Sequence, residues 1–502
     1  MSYKRKVVTF SLYFAKKERV WMKNIKLQDI YLGENDGKKE AVYRSDFERY
    51  FIDIDYNFEK LQIDKYFLVL GRKGSGKTYL GQYIKKMAAS DPLHFCDVSS
   101  YKDFKFQELV QLKSGDIKPN EYYEIWRWLL LLDIGKQCLE DNGIPDCDAK
   151  SKLNSFFDAN YNSTKIDAKK IVEVTKKKQV RGSILRSFVD VSGGEKLEEG
   201  SYLDYIDDLE SVVFQVLSHS DSRYTVVYDE LDDRFRDDEY YRHSIISLLK
   251  AADHINLKAL EDLVKAKIII LLRTDIFSIF NDPDLNKIKR VNTLKIDWGT
   301  RVSVSSPLIG MIVSKAKKSS ILMSALTDEE VFRNLFPQDI NGINPERYIL
   351  ERSFFRPRDV ITILNLIIEK YPNSDYFGWK SFLDVKQEYS EYLLDEVRNE
   401  MYGHYRDEEI DSIFRLLKNY NKHFVVYQEL KEYMENNQFH YKELDLEKML
   451  IGLFKFNALG NKWFNVYKRK EYYTWAHRDE KADLDLNKTM VIHLGLREAL
   501  SM

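Results

Sequence analysis

The amino-acid sequence predicts an α/β fold: a parallel β-sheet whose strands alternate with helices, followed by two largely helical regions. Three observations lead to this prediction. A short apolar run ends in a glycine-rich loop at residues 71–78. A second, β-branched run at 224–228 ends in acidic residues, and a third at 266–272 ends in an arginine. Strands that each lead into a helix at this spacing favour a parallel sheet with right-handed crossovers.

The glycine-rich loop reads Gly-Arg-Lys-Gly-Ser-Gly-Lys-Thr and fits the pattern G-x-x-x-x-G-K-[ST]. It follows the apolar run 66–70 and precedes an amphipathic stretch, so a strand, a loop and a helix are expected in this order. Glycines let backbone N–H groups curl around phosphate oxygens, and the start of the helix adds its positive end. The predicted nucleotide-binding residues are Gly71, Arg72, Lys73, Gly74, Ser75, Gly76, Lys77, Thr78 and Tyr79.

Catalysis is predicted from residues in and around this loop. Lys77 can reach the β- and γ-phosphates of ATP, and Thr78 can offer its hydroxyl to Mg²⁺. Asp229, at the end of the β-branched run, is expected to hold the same Mg²⁺ through water. Glu230 would then polarise the attacking water. The predicted catalytic residues are therefore Lys77, Glu230 and Arg273, and the predicted metal ligands are Thr78 and Asp229.

Three arginines are candidates for contact with phosphate. Arg273 stands at the carboxyl end of its strand, where parallel sheets bind ligands, and is expected to sense the γ-phosphate. A salt bridge from Arg273 to Asp229 or Asp232 is the alternative. Arg356 and Arg358 flank a proline at the start of an apolar helix, and one of them is expected to fold back onto the nucleotide.

Pattern and composition divide the 502 residues into four predicted parts. They are an N-terminal leader at 1–45, a P-loop core at 46–300 with a helical insertion at about 102–220, a helical lid at 301–375, and a winged-helix-like domain at 376–502.

The winged-helix-like domain is predicted from three helical stretches followed by a strand-like pair, 463–467 and 472–477. The helical stretches are 408–418, 426–435 and 447–456. Between the paired strands stand Lys468, Arg469 and Lys470, a candidate nucleic-acid contact at the tip of the wing. No wider basic stripe accompanies them, so a regulatory or assembly surface is the slightly favoured alternative.

Composition limits the class of protein. Lysine and arginine number 78 and aspartate and glutamate 80, so any nucleic-acid contact must come from a local patch. Three cysteines without a C-x-x-C pair indicate a reducing compartment and no structural disulfide or zinc. No run reaches the roughly 18 apolar residues of a membrane span, and charges interrupt the N-terminal stretch. We therefore expect a cytoplasmic protein with no signal peptide and no membrane partner.

Three partial motifs favour other classes of P-loop protein. Ser192–Glu195 is similar to the signature of ABC-type ATPases, but it lies farther from Asp229 than in that class, and no histidine stands near Arg273. Thr164–Asp167 is similar to a guanine-specificity loop, yet it precedes the acidic strand, which excludes an ordinary GTPase. Asp229–Asp232 fits the DExD pattern of superfamily-2 helicases, but the arginine-rich motif of their second domain is missing.

Together, the loop at 71–78, the acids at 229–233, the run 272–277 and the run Arg356–Arg358 resemble the motifs of AAA+/STAND-type P-loop ATPases. More narrowly, residues 45–502 resemble a bacterial family of stand-alone P-loop ATPases that pairs GRKGSGKT with DELD and an LRxDIF strand end. The resemblance implies a P-loop NTPase sheet with a helical lid, ATP and Mg²⁺ as ligands, and Arg273 on the γ-phosphate. The AAA+ pattern more often has Asn at that position, so a standard hexameric machine is not expected.

The predicted function is an ATP-hydrolysing switch, with the nucleotide between core and lid and the arginines touching the γ-phosphate only while it is present. By analogy with related bacterial ATPases, we expect a role in antiviral defence or a DNA transaction, with self-association or an effector protein as partner. A last strand is predicted at 293–298, and Arg290, just before it, is a candidate arginine finger in an oligomer. The alternatives are an ATP-gated DNA-binding protein resembling origin-recognition proteins, an ABC-type or defence ATPase, and a catalytically inactive scaffold stabilised by nucleotide.

Overall fold

The computed structural model describes most of the chain. The described residues are 25–100, 119–161, 180–186, 201–231, 239–437, 441, 444–479 and 481–502. Several features named above lie outside them: the first 24 residues of the leader, parts of the 102–220 insertion, Thr164–Asp167, Ser192–Glu195 and the pair Asp232–Asp233.

The chain forms two compact units. One, which we call the core unit, contains Asp53–Arg72 and Gly76–Ile296. The other, which we call the C-terminal unit, contains the chain up to Ile52, the three loop residues Lys73–Ser75, and Asp297–Met502. The four-part division predicted from the sequence is finer than this and stays a prediction.

The bounds of the elements are as follows. The strands are β1 Leu68–Gly71, β2 His94–Ser100, β3 Arg223–Asp229, β4 Ala266–Arg273, β5 Thr293–Ile296, β6 Phe424–Val425, β7 Leu459–Asn465, β8 Lys470–Thr474 and β9 Thr489–Ile492. The α-helices are α1 Gly37–Tyr43, α2 Asn57–Leu61, α3 Lys77–Ala88, α4 Pro119–Glu140, α5 Asp148–Tyr161, α6 Ile206–Leu217, α7 Glu239–Glu261, α8 Thr274–Ser278, α9 Leu285–Val291, α10 Pro307–Ser319, α11 Ile321–Ser324, α12 Asp328–Leu335, α13 Pro345–Arg352, α14 Pro357–Lys370, α15 Trp379–Asp384, α16 Lys386–Met401, α17 Asp407–Tyr420, α18 Tyr427–Asn436 and α19 Leu446–Lys455. Short 3-10 helices lie at Leu27–Asp29, Phe47–Tyr50, Ile54–Tyr56, Gly182–Leu185, Tyr202–Tyr205 and Leu494–Leu496. Within the described residues, no helix is long and apolar enough to cross a membrane.

The core unit is built on a parallel sheet, which confirms the predicted α/β fold. Among the described residues it has five strands in the order β2-β3-β4-β1-β5. Each predicted strand is present to within a few residues, and every residue of β4 is buried, as its unbroken aliphatic run requires. One strand, β4, lies between β1 and β3, so the end of β4 stands between the glycine-rich loop and the acidic turn.

Helices pack the sheet against a large apolar core. Helix α4, in the predicted helical insertion, carries apolar residues around most of its circumference and is buried accordingly. Its Trp126 and Trp128 are fully buried, and Gln137 donates to the backbone oxygen of Thr225 in β3 at 3.0 Å. This packing supports β3, whose last residue, Asp229, lies at the carboxyl end of the sheet.

The C-terminal unit is helical from Pro307 to Met401, apart from one isolated bridge between Ile340 and Ile343. The helical character predicted for 301–375 is therefore confirmed from Pro307 onward, and the assignment of this region as a lid stays a prediction. Helix α14 begins at Pro357, where proline suits the first turn because its missing N–H has no partner to lose.

The last part of the chain joins helices to an antiparallel sheet. Helices α17, α18 and α19 match the three predicted helical stretches to within a few residues. The predicted strand pair is the β7–β8 hairpin, and within the described residues it belongs to a four-stranded sheet with the order β6-β9-β7-β8. Neither β6 nor β9 was expected from the sequence, because each is too short to give a clear alternating pattern.

Candidate active site

The glycine-rich loop joins the end of β1 to the start of α3. Gly74 and Gly76 have φ angles of +75° and +103°, which β-carbon sterics make costly for other residues. The Nζ of Lys77 donates to the backbone oxygens of Gly71 and Arg72 at 3.0 and 3.1 Å. The lysine thus folds back over the loop, and an anionic ligand would offer it stronger acceptors than these carbonyl oxygens.

Two further observations concern the polar groups and the space at the loop. The Oγ of Ser75 is buried and has no hydrogen-bond partner, which is uncommon for a buried hydroxyl. A β-carbon built on Gly76 would meet no atom within 4 Å, so the space beside this backbone is open. A donor without an acceptor and an open cradle at a helix start are what a bound phosphate would use.

Thr78 and Tyr79 follow in the first turn of α3, and both are partly exposed. The Thr78 hydroxyl therefore stands at the start of α3, next in sequence to Lys77, where the predicted Mg²⁺ ligand is required. No group of three or more His, Cys, Asp or Glu residues in the described part of the chain forms a metal site of its own. The residues present suit an Mg²⁺ that is bound mainly by phosphate oxygens and water.

The acidic turn lies at the same edge of the sheet as the loop. Asp229 ends β3 and is buried, whereas Glu230 follows it and is partly exposed. Glu230 has a φ angle of +53°, in the left-handed region that glutamate rarely occupies. Strained residues of this kind cluster at functional sites.

Arg273 ends β4 between the loop and the acids. In the register of the sheet its partner is Gly71, the first residue of the loop. Its guanidinium is buried and forms a two-point contact with Asp275, with Nε–Oδ1 and Nη2–Oδ2 distances of 3.1 and 2.6 Å. The sequence offered Asp229 or Asp232 as partner, and Asp275, two residues along the LRxDIF run, was overlooked although its spacing made it available.

Arg356 and Arg358 have different surroundings. Arg356 is 2% exposed, and its guanidinium donates to Asp359 at 2.9 and 3.1 Å and to Glu400. Burial alone would lower the pKa of Arg356, but the two carboxylates raise it well above the usual value. Arg356 thus ties the start of α14 to α16, and a nucleotide would have to compete with two carboxylates for its guanidinium.

Arg358 lies beside the tip of the glycine-rich loop. Its backbone N–H donates to the oxygen of Gly74 at 3.4 Å, and its Cβ is 3.2 Å from the position a Gly74 β-carbon would take. Its Nη1 donates to Oε2 of Glu396 at 3.2 Å, and the Nζ of Lys73 lies 3.6 Å from the same oxygen. We call Lys73, Arg358 and Glu396 the loop-tip cluster.

Two members of this neighbourhood were not found from the sequence. Glu396 is one of several acids on α16, and nothing in its local pattern marks it. Trp298, read as the end of a strand, lies beyond β5 and donates its indole N–H to the backbone oxygen of Ser75 at 2.9 Å. Both contacts join residues far apart in the chain, which periodicity does not reveal.

The remaining predicted site residues lie elsewhere. Arg290 is on α9 and is exposed. Lys468 and Arg469 occupy the turn between β7 and β8, and Lys470 begins β8. Arg469 has a φ angle of +47°, and the neighbouring Tyr467 is almost fully exposed.

Comparisons with known proteins give limited matches. Residues 307–398 match the family model described as a FunZ-associated C-terminal helical domain. An 80.3 kDa protein of transposon gamma-delta from Escherichia coli (strain K12) is 24% identical over 324 residues, which is 61% of this chain and 42% of the relative. The chain thus spans less than half the length of that relative. The ORC1 protein of Aeropyrum pernix, solved in complex with DNA, is 10% identical to this chain. The match covers 87% of this chain and 86% of the ORC1 chain, with a TM-score of 0.34. That score gives no support for a shared activity. The chain is therefore an α/β protein with a glycine-rich loop at residues 71–78 and a helical region similar to FunZ-associated C-terminal domains.

Proposed function

We propose that the protein binds and hydrolyses ATP and uses the cleavage as a conformational switch. The observation that carries the proposal is the loop at 71–78, where glycines of positive φ, an unpartnered buried Ser75 hydroxyl and Lys77 converge. The acids that hydrolysis requires stand at the same sheet edge, and Arg273 lies between them and the loop. Binding and hydrolysis of ATP agree with the resemblance of the motifs to those of AAA+/STAND-type ATPases.

Binding is assigned to the loop and the start of α3. Backbone N–H groups from Gly74 to Thr78 would hold the phosphates, and Lys77 would move from the carbonyl oxygens to the β- and γ-phosphates. The Thr78 hydroxyl and, through water, Asp229 would hold Mg²⁺, which neutralises charge on the phosphates when bound. Because Asp229 is buried, we expect its carboxylate to contact Mg²⁺ through one water molecule and not to form an exposed ion pair with the metal.

Hydrolysis is assigned to Glu230 and Arg273. The Glu230 carboxylate would accept a proton from a water molecule whose oxygen forms the new bond to the γ-phosphorus. The bond from that phosphorus to the bridging oxygen breaks, and ADP leaves with the electron pair. Arg273 would stabilise the charge that develops on the transferred group, and its two-point contact with Asp275 would fix the orientation of its guanidinium.

The switch is assigned to the loop-tip cluster. In the structure, Glu396 forms ion pairs with both Lys73, which is in the glycine-rich loop, and Arg358, which lies beside its tip. A γ-phosphate would compete with Glu396 for these cations, and its loss on hydrolysis would return them to the carboxylate. Binding and release of phosphate would thus move α16 relative to the start of α14 within the C-terminal unit.

Two substitutions separate binding from hydrolysis. Lys77→Met should weaken ATP binding about 10- to 100-fold, because a charge-assisted contact is lost. Glu230→Gln should bind ATP normally but hydrolyse it about 100- to 10,000-fold more slowly. Glu261→Gln, an exposed acid at the end of α7, is the matched control and should leave both quantities unchanged. Turnover equal to wild type in Glu230→Gln would refute the assignment of the base, and no turnover in wild type would favour the scaffold.

A second candidate function is ATP-gated DNA binding through Lys468, Arg469 and Lys470. The observation in its favour is the exposed turn that carries these cations between β7 and β8, in a helix-and-sheet arrangement consistent with a winged helix. Charge reversal of all three should abolish salt-dependent duplex DNA binding measured with and without ATP. Unchanged binding would remove this candidate.

The biological setting is proposed by analogy. A role in antiviral defence or in a DNA transaction fits the resemblance to bacterial stand-alone ATPases and the transposon origin of one relative. Self-association would give the exposed Arg290 a neighbouring nucleotide to reach. The native mass with ATP and with ADP tests this: a mass that stays monomeric with both nucleotides would remove Arg290 as an arginine finger.

A further inference from the structure

A cavity of about 200 Å³ lies within the C-terminal unit, where α13, β6, β8 and β9 meet. Rings make up much of its wall. They belong to Phe355, Phe424, Tyr473, Trp475, His477 and His493, and we call this cavity the aromatic pocket. Phe424 and Tyr473 at the rim are 45% and 42% exposed, whereas Trp475 and His493 are buried. Flat apolar surface is therefore presented to solvent at the entrance.

Three arginines line the same cavity. Arg347 is neutralised by Glu351, with an Nε–Oε1 distance of 3.0 Å. Arg478 lies over the ring of Phe355 at 5.5 Å, and Arg497 donates to the backbone oxygen of Ile492 at 3.3 Å. Among the described residues, neither Arg478 nor Arg497 has a carboxylate within 4.0 Å. The pocket therefore holds more positive than negative charge.

The electrostatics of the pocket reflect this excess. Burial and the charge of Arg352 lower the pKa of Arg497, and burial lowers that of Arg478. His493 is fully buried, and burial together with Arg478 and Arg497 lowers its pKa to about 3. His493 is thus neutral at physiological pH, and the uncompensated charge resides on the arginines. Such a pocket attracts an anion.

One ring of the pocket belongs to Phe355, whose backbone conformation is strained. Phe355 has a φ angle of +55°, a conformation that is unfavourable for a bulky side chain. Its ring stacks on that of His477, with centroids 5.3 Å apart and planes inclined by 27°. Strain at an aromatic residue that lines a cavity indicates that the position of the ring is used.

We propose that the aromatic pocket binds one unpaired nucleotide of a single-stranded nucleic acid. The base stacks on the rings at the rim, and a phosphate is held by Arg478 and Arg497. Stacking on aromatic side chains beside arginine is the common means of binding unpaired bases. A base inside a duplex could not enter, because its faces are covered by its neighbours. The proposal does not depend on ATP hydrolysis.

The neighbouring β7–β8 hairpin favours a single-stranded nucleic acid over a free nucleotide as the ligand. Strand β8 runs from Lys470 at the turn to Tyr473 at the rim, a distance of about 10 Å at roughly 3.3 Å per residue. Lys468 and Arg469 in the turn would then meet phosphates that flank the bound nucleotide. A free nucleoside monophosphate offers the same base and phosphate, so the experiment must separate the two sources.

The test is a fluorescence anisotropy titration of the full chain with labelled oligothymidylate of about ten nucleotides, repeated over a series of salt concentrations. Tyr473→Ala should weaken binding about 5- to 100-fold with the salt dependence unchanged, because stacking is lost. Arg478→Ala should reduce the slope of log affinity against log salt by about 0.7, the value for one phosphate contact with a single strand. Arg478→Lys should retain that slope.

Matched controls are Tyr402→Ala and Arg333→Ala, which change exposed residues of the same unit. Both should bind oligothymidylate as wild type does, and thermal melting of every variant confirms folding. Affinities and slopes of Tyr473→Ala and Arg478→Ala equal to those of the controls would overturn the pocket assignment, as would no binding by wild type. Competition by adenosine monophosphate at concentrations similar to that of the oligomer would overturn the assignment to a strand.

Discussion

Replacing Glu396 by glutamine tests the proposed switch directly. Glutamine keeps the shape of the side chain but removes the charge that holds Lys73 at 3.6 Å and Arg358 at 3.2 Å. Each of these partly exposed ion pairs contributes up to about 1 kcal/mol, so that the two together contribute about 1–2 kcal/mol. If a phosphate must displace Glu396 from both cations, Glu396→Gln should bind ATP about 5- to 30-fold more tightly than wild type.

Calorimetric titration with a non-hydrolysable ATP analogue and with ADP measures this effect. The gain should be clearly smaller for ADP, because the γ-phosphate is the proposed competitor. Glu391→Gln is the matched control, since it lies exposed on the same helix and is hydrogen-bonded to Gln387. An ATP affinity within twofold of wild type would refute competition by Glu396. An equal gain for both nucleotides would show that the cations meet another part of the ligand.

Three further predictions concern buried charge and catalysis. Asp359→Asn leaves the buried Arg356 with a single carboxylate and should destabilise the protein by about 3–5 kcal/mol in urea unfolding, whereas the exposed Asp395→Asn should change stability by less than about 0.5 kcal/mol. His493, whose pKa falls to about 3 in the folded chain, contributes stability that is present above the unfolded pKa of about 6.5 and is lost as the pH falls from 6.5 toward 3. Urea unfolding should show a loss of about 2 kcal/mol between pH 6.5 and pH 5 that is absent in His493→Gln, and identical pH profiles would contradict this. Arg273→Ala should lower kcat for ATP about 100- to 1,000-fold with ADP affinity within threefold of wild type, and an unchanged kcat would refute its assignment to hydrolysis.

The features predicted well from the sequence are those that local pattern determines. The loop at 71–78, the strand before it and the buried run 266–272 depend on residues next to one another, and each lies where it was expected. The parallel sheet follows from the alternation of strands and helices. The strand order could not be derived in this way, because it depends on how crossovers of different length pack.

The contacts that were missed join distant parts of the chain. Nothing near Glu396 or Trp298 shows that these residues reach the tip of the loop. In the run Arg-Pro-Arg, the two arginines are equally good candidates for contact with phosphate. The run does not show that Arg356 is paired with Asp359 and Glu400 and is therefore buried. The aromatic pocket is assembled from four separate segments, so its rings and arginines have no common sequence motif.

The position of β4 in the sheet has a consequence for the discrimination of nucleotides. Because one strand separates β1 from β3, the end of the loop strand and Asp229 are about 10 Å apart, twice the usual spacing between neighbouring strands. A diphosphate anchored in the loop would fall short of the far side of this gap, and a third phosphate would extend across it. The spacing of the strands would then select for the length of the phosphate chain, in addition to the charged contacts proposed for Arg273 and the loop-tip cluster.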